Sequence, residues 1–133
     1  MAIKITHYHA EDEQIELMSG DSSIPAIVQL AAITELRKCK FVGNHYSLQY
    51  PTNSEGLNIA IDQAEQIING LSDAIGAISL LMCHVDGNEL GDSIKPIGFL
   101  LSALSELIGY VNFHSSEMQA CLENQHAQKN PTK

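Results

Sequence analysis

The chain has no Trp, only four Tyr and three Phe in 133 residues, and seven Lys and Arg against sixteen Asp and Glu. The shortage of cations leaves a formal net charge of −9. Phosphate backbones are held by clustered Lys and Arg, so this composition excludes direct nucleic-acid binding as the expected role. Cysteine is scarce too: Cys39, Cys83 and Cys121 are an odd number without dense spacing. That pattern argues against a disulfide framework and for free thiols in a reducing cytoplasm. The opening MAIKITHYHAEDEQ has one Lys and no apolar run, so no secretory signal is expected there. What the chain does have is 44% hydrophobic residues. This is enough to build the core of one small domain, and it rules out a disordered acidic tail.

The most membrane-like stretches are Ile67–Val85 and Ile97–Phe113. Asn69 and Asp73 interrupt the first, and Glu106 sits in the middle of the second. A carboxylate at mid-bilayer costs about 2.5 kcal/mol or more, and basic flanks are nearly absent. The expectation is a soluble cytoplasmic protein without membrane spans.

Along the chain, Ala2–Thr6 reads as a short strand and Glu11–Met18 as a short helix or an acidic loop. Asp21-Ser22-Ser23 before Ile24-Pro25 has the form of an N-cap with Pro in the first turn. Ile27, Val28, Leu30, Ala31, Ile33 and Leu36 continue that helix, and Arg37, Lys38 and Lys40 suit its C-terminal dipole. Gly43-Asn44 stops it, giving a helix at about 24–41. His45–Tyr50 alternates weakly, as a short strand would, and Asn53 or Ser54 caps a new helix beyond Pro51.

The strongest pattern comes next. Apolar residues recur at Leu57, Ile61, Ala64, Ile68, Leu71, Ile75, Ile78, Met82 and Val85, in steps of four and three. A second series runs Ile94, Ile97, Leu101, Leu104, Ile108, Val111, Ser115, Met118 and Leu122. Both have the repeat of a helical seam. Between them, Gly87 is suited to a left-handed helix stop, Asp92 or Ser93 to a cap, and Pro96 to a first turn. The two series mirror each other: Leu57 and Leu122, Ile68 and Val111, and Val85 and Ile94 all have numbers that add to 179. An antiparallel hairpin in that register brings each pair level, with arms of about 45 Å.

A further stripe runs through Ala60, Ile67, Ala74 and Leu81 on one arm. Phe99, Leu100, Ala103, Leu107 and Tyr110 form its counterpart on the other. Two helices cannot bury both stripes, so the helix at 24–41 or a second copy must cover them. A dimer of two hairpins, a four-helix bundle, is the economical arrangement. Gly70, Gly76, Gly98 and Gly109 lie inside these helices despite costing nearly 1 kcal/mol each against Ala. They are expected to permit close helix approach. The sequence thus predicts an all-α fold with a possible short N-terminal β segment. One domain spans residues 1–124, with helices at about 24–41, 54–86 and 93–124, and 125–133 form a flexible tail.

Candidate chemistry is sparse. His114, Glu117 and Cys121 share a helical face, and the mirrored register sets Glu65 level with His114 and Asp62 with Glu117. Imidazole and carboxylate grouped inside a bundle are metal-ligand types, so His114, Glu117 and Glu65 are the alternative metal set. The spacing lacks the paired Glu-x-x-His of di-metal bundles, and a structural His beside an acid is the main reading. His7-x-His9 would share one face of a strand, a weak chelate. Cys83-His84 point about 100° apart on a helix, unsuited to a nucleophile and its base. The Asp86–Ile97 stretch opens like a calcium loop but has Leu90 and Ile97 where such loops carry acidic ligands. With no cofactor motif and no catalytic constellation, a non-enzymatic binding role is expected.

Charge is unevenly placed. Residues 51–92 hold seven acids and no Lys or Arg: Glu55, Asp62, Glu65, Asp73, Asp86, Glu89 and Asp92. A row of this kind serves solubility, and it also steers a basic partner protein. The expected role is therefore an acidic interaction module (inhibitor, adaptor or chaperone-like) that forms a homodimer and binds a basic protein through these seven residues.

Overall fold

The computed structural model describes residues 4–5, 15–16, 25–42 and 44–129. The His7-x-His9 pair, the Asp21-Ser22-Ser23 cap and residues 130–133 of the expected tail lie outside the described residues. The fold is mainly helical and built on a long antiparallel hairpin, with two small two-stranded sheets.

The N-terminal strand is β1 (Lys4–Ile5), paired antiparallel with β2 (Ile15–Glu16), Lys4 opposite Glu16. The Glu11–Met18 stretch therefore contains a strand where a helix or loop was expected. Helix α1 (Ala26–Glu35) comes after Pro25, whose carbonyl accepts from the N–H groups of Val28 and Gln29. The expected helix at 24–41 is too long. It ends at Glu35, and Lys38–Val42 form β3, paired with β4 (His45–Gln49). The physical reason lies in the residues themselves: Lys38-Cys39-Lys40-Phe41 alternates polar and apolar with period two, and two residues separate the strand from the next alternating run. Cross-strand partners share a sheet face, so Cys39 and Leu48 lie on one side with Phe41 and Tyr46, whose rings meet edge-on at 5.1 Å.

Helix α2 (Ser54–His84) starts under an Asn53 cap, its Oδ1 accepting from the Gly56 N–H at 2.9 Å. The link to α4 (Ile94–Lys129) is a short helix α3 (Gly87–Leu90) and a 3-10 turn over Gly91–Ser93. Asp86 caps α3 through the Asn88 N–H. The positive φ in this link falls at Gly91 (39°) and not at Gly87 as expected, because the chain makes one more helical turn before it reverses. The expected end at 124 is also corrected. The helix continues through Lys129, and the Gln125 amide, which donates to Cys121 Sγ and accepts from Ser54, fastens its last turns.

Helices α2 and α4 pack against each other as the two arms. The Ser54 hydroxyl donates to Gln125 Oε1 at 2.8 Å, and these two numbers also add to 179. The mirrored register therefore holds at the open end of the hairpin.

The core sits at that end, the base. Leu57, Ala60 and Ala64 of α2, Val111 and Met118 of α4, and Leu30 and Ile33 of α1 are fully buried there. Tyr50 and Cys121 close the cluster, with Leu48 of β4 packed on it. α1 presents Gln29, Leu30, Ile33 and Thr34 on one face, the spacing of a helix that lies across two others. It covers the second stripe only over the base. Ala60 is buried, and Ile67, Leu107 and Tyr110 pack on the core, whereas Ala74 and Ala103 are exposed. Leu81, Phe99 and Leu100 keep 66%, 77% and 48% of their surface. The expected role of the helix glycines is not met within this chain. A Cβ added at Gly70, Gly76, Gly98 or Gly109 would touch nothing within 4 Å.

Candidate functional site

All seven expected acids are exposed: Glu55, Asp62, Glu65 and Asp73 along α2, and Asp86, Glu89 and Asp92 around the link. None of them is in an ion pair among the described residues. At about 100° per residue the four on α2 fall on its outer flank, turned away from both the seam and α1. The asymmetry results from folding itself: positions 57, 60, 64 and 68 are needed inside, which leaves the acids on the opposite arc. With no Lys or Arg at any position of α2, the row has no internal neutralisation.

The alternative metal set is divided by the fold. His114 and Glu117 do meet, with Nδ1 and Oε2 3.4 Å apart. Glu65 is exposed on the outer flank, as is Asp62. No three His, Cys, Asp or Glu side chains gather among the described residues. A cation already faces Glu117: Arg37 Nε stands 3.8 Å from Oε2. Cys83 and His84 are both exposed at the end of α2.

What surrounds His114 and Glu117 is a polar knot under α1. Arg37 also donates to the Thr34 carbonyl, and the Thr34 hydroxyl meets the Tyr110 hydroxyl at 3.0 Å. The Tyr110 ring packs edge-on against His114, centroids 4.4 Å apart. Tyr50, nearly buried between β4 and α2, stands beside Glu117. Burial first, and then the Glu117 charge, push its phenol far above the ordinary tyrosine range. Burial likewise raises the Cys121 thiol, which donates to the Leu48 carbonyl at 3.3 Å. These groups pin α1 and β4 onto α4. Sequence reasoning found His114 and Glu117 but missed Arg37, Thr34 and Tyr50 as their neighbours. Arg37 looked like a helix-end cation, and the lone signal at Tyr50 was an aromatic beside Pro51.

The other conspicuous feature is the uncovered stripe. Beyond the level of Tyr110 both arms carry apolar side chains into solvent, and α2 and α4 are each long and apolar enough to cross a membrane by length and composition. In an antiparallel pair, the flank of α2 with Ala74 and Leu81 and the flank of α4 with Phe99, Leu100, Ala103 and Leu107 fall on the same side of the hairpin. This is the side that α1 covers at the base.

No protein-family model matches the chain, and no curated protein or solved structure matches it either.

Proposed function

We propose that the protein is a non-catalytic cytoplasmic interaction module that binds a basic protein through the outer flank of α2. The observation that carries this reading is the row Glu55, Asp62, Glu65 and Asp73: four exposed carboxylates on one arc, with no cation on their helix. Unpaired like charges on a rigid helix repel one another mildly in isolation. A complementary basic surface relieves that repulsion, speeds encounter and orients docking. The core at the base holds the arc of Glu55, Asp62 and Glu65, and Asp73 continues it along the seam. Asp86, Glu89 and Asp92 extend the same negative field to the far end of the molecule.

The test is affinity capture from the source cells with the wild-type protein and with a variant carrying Glu55→Gln, Asp62→Asn, Glu65→Gln and Asp73→Asn. The wild type is expected to retain a protein of high pI that the neutralised variant loses. The association rate should fall about tenfold or more between low and physiological salt. Equal capture by both proteins, or an association indifferent to salt, would sink the proposal.

A further inference from the structure

The uncovered half of the second stripe has a defined extent. From the level of Asn69 and Tyr110 to the link at Asp86–Ser93, each arm runs about 26 Å at 1.5 Å per residue. Two packed helices make the face roughly 20 Å wide, so its footprint is roughly 500 Å². A face of that size matches the largest apolar patch of a typical monomer, which is often a functional surface. Two such footprints make about 1,000 Å², the lower bound of a specific interface.

A lipid surface fits it poorly. Asp73 on α2 and Glu106 on α4 are both exposed and turned away from the seam, so a bilayer around the hairpin would meet a carboxylate on each arm at mid-depth. Leu81, Leu100, Ala103 and Leu107 gather on one side, as on a helix pair that packs on protein, while Leu80 lies on the acidic side of α2 and Phe99 at the outer edge of the face. Covering two helices along about 26 Å requires two more of similar length. At the base of the same face α1 and the β3–β4 hairpin already occupy that position.

We propose that a second copy of this chain covers the face, with the two hairpins antiparallel, tip against base. Charge selects this direction. The tip carries Asp86, Glu89 and Asp92 with Lys95 as its one cation. The base of the same side carries Arg37, which faces Glu117, and the exposed Lys38 and Lys40 of β3. Placed parallel, the two tips would bring six carboxylates together. Placed antiparallel, each copy's acidic tip is directed at the other's basic base, reaching the level of Tyr110 about two helical turns short of Glu117, which Arg37 faces. The distal halves then pack on one another over their full length, and α1 and β3–β4 of each copy flank the ends. The row on the outer flank of α2 stays free on both copies, so this assembly does not depend on the proposed basic partner.

Sedimentation equilibrium at micromolar concentration is expected to give twice the 14.5 kDa chain mass. Leu81→Asp with Phe99→Asp should give a monomer whose far-ultraviolet dichroism remains helical, since both residues lie outside the core. Lys38→Glu with Lys40→Glu should weaken the dimer about tenfold, and adding Asp86→Lys with Glu89→Lys should restore it. A monomeric wild type overturns the proposal, as does a dimer untouched by Leu81→Asp with Phe99→Asp. A dimer that tightens when the three tip acids are made amides alone points to the parallel arrangement and overturns the direction. Flotation of the wild type with phosphatidylcholine–phosphatidylglycerol vesicles, lost in the Leu81→Asp, Phe99→Asp variant, would assign the face to lipid and overturn it as well.

Discussion

Gly56 lies in the first turn of α2, where a Cβ would run into Thr52 Oγ1. Asn53 caps the same turn, its Oδ1 accepting from the Gly56 N–H, and Thr52 just before it lies against Gly56. Gly56→Ala should therefore destabilise the protein by about 1–3 kcal/mol in urea unfolding, and much less in a Thr52→Ala background, where Oγ1 is gone. Tyr50 allows a second prediction at this scale. Its folded phenol holds the proton to higher pH than the unfolded chain does, because ionisation would put a buried charge beside Glu117. The stabilisation is thus complete below pH of about 10 and is lost as pH rises above it. Cys121 acts in the same sense from its own, lower range. Thermal melting should fall steeply on the alkaline side for the wild type and less steeply for Tyr50→Phe. Identical slopes would remove Tyr50 from the account. None of this could be read from the sequence, since Thr52 against Gly56 and Tyr50 against Glu117 are contacts of folded geometry and not of spacing.

Among the elements, the hairpin was legible because each arm repeats its apolar residues over some eight turns, and the mirrored numbering fixed the register that Ser54 and Gln125 display. α1 was legible only in part. Its apolar run favours a helix, but the Lys-Cys-Lys-Phe alternation just after it favours a strand as strongly, and pairing with His45–Gln49 decides for the strand. The acidic row was legible residue by residue, since seam positions dictate which side of α2 is left for charge. The division between base and tip was not, because the seam pattern is equally strong in both halves and only α1 and β3–β4 distinguish them. This division predicts where truncation hurts. Leu57→Ala removes a fully buried side chain and should cost about 2–5 kcal/mol. Leu80→Ala, at 62% exposure on the acidic side of α2, should stay within about 0.5 kcal/mol. Equal losses would mean that the distal arms are buried as deeply as the base.

At the scale of the whole molecule, stability is stored at one end. The buried residues of α2 lie between Gly56 and Ala64 and those of α4 between Val111 and Cys121, so about 26 Å of each arm stands on the seam alone. The seam residues there, Leu71, Ile75, Ile78 and Met82 facing Ile97, Leu101, Leu104 and Ile108, are only partly buried. Local opening of such a region requires less free energy than global unfolding, whereas amides in the base open only when the core does. Hydrogen exchange in the Leu81→Asp, Phe99→Asp variant, expected to be monomeric, should thus show two tiers. Amides of residues 69–84 and 94–108 should exchange well before those of 56–64 and 111–121. In the wild type, protection of the distal tier should rise with protein concentration while the basal tier stays fixed, because in the proposed dimer only association covers the distal face. A single tier in the variant would show that the seam alone makes the two arms one cooperative unit. The second copy would then complete a surface but hold nothing in place.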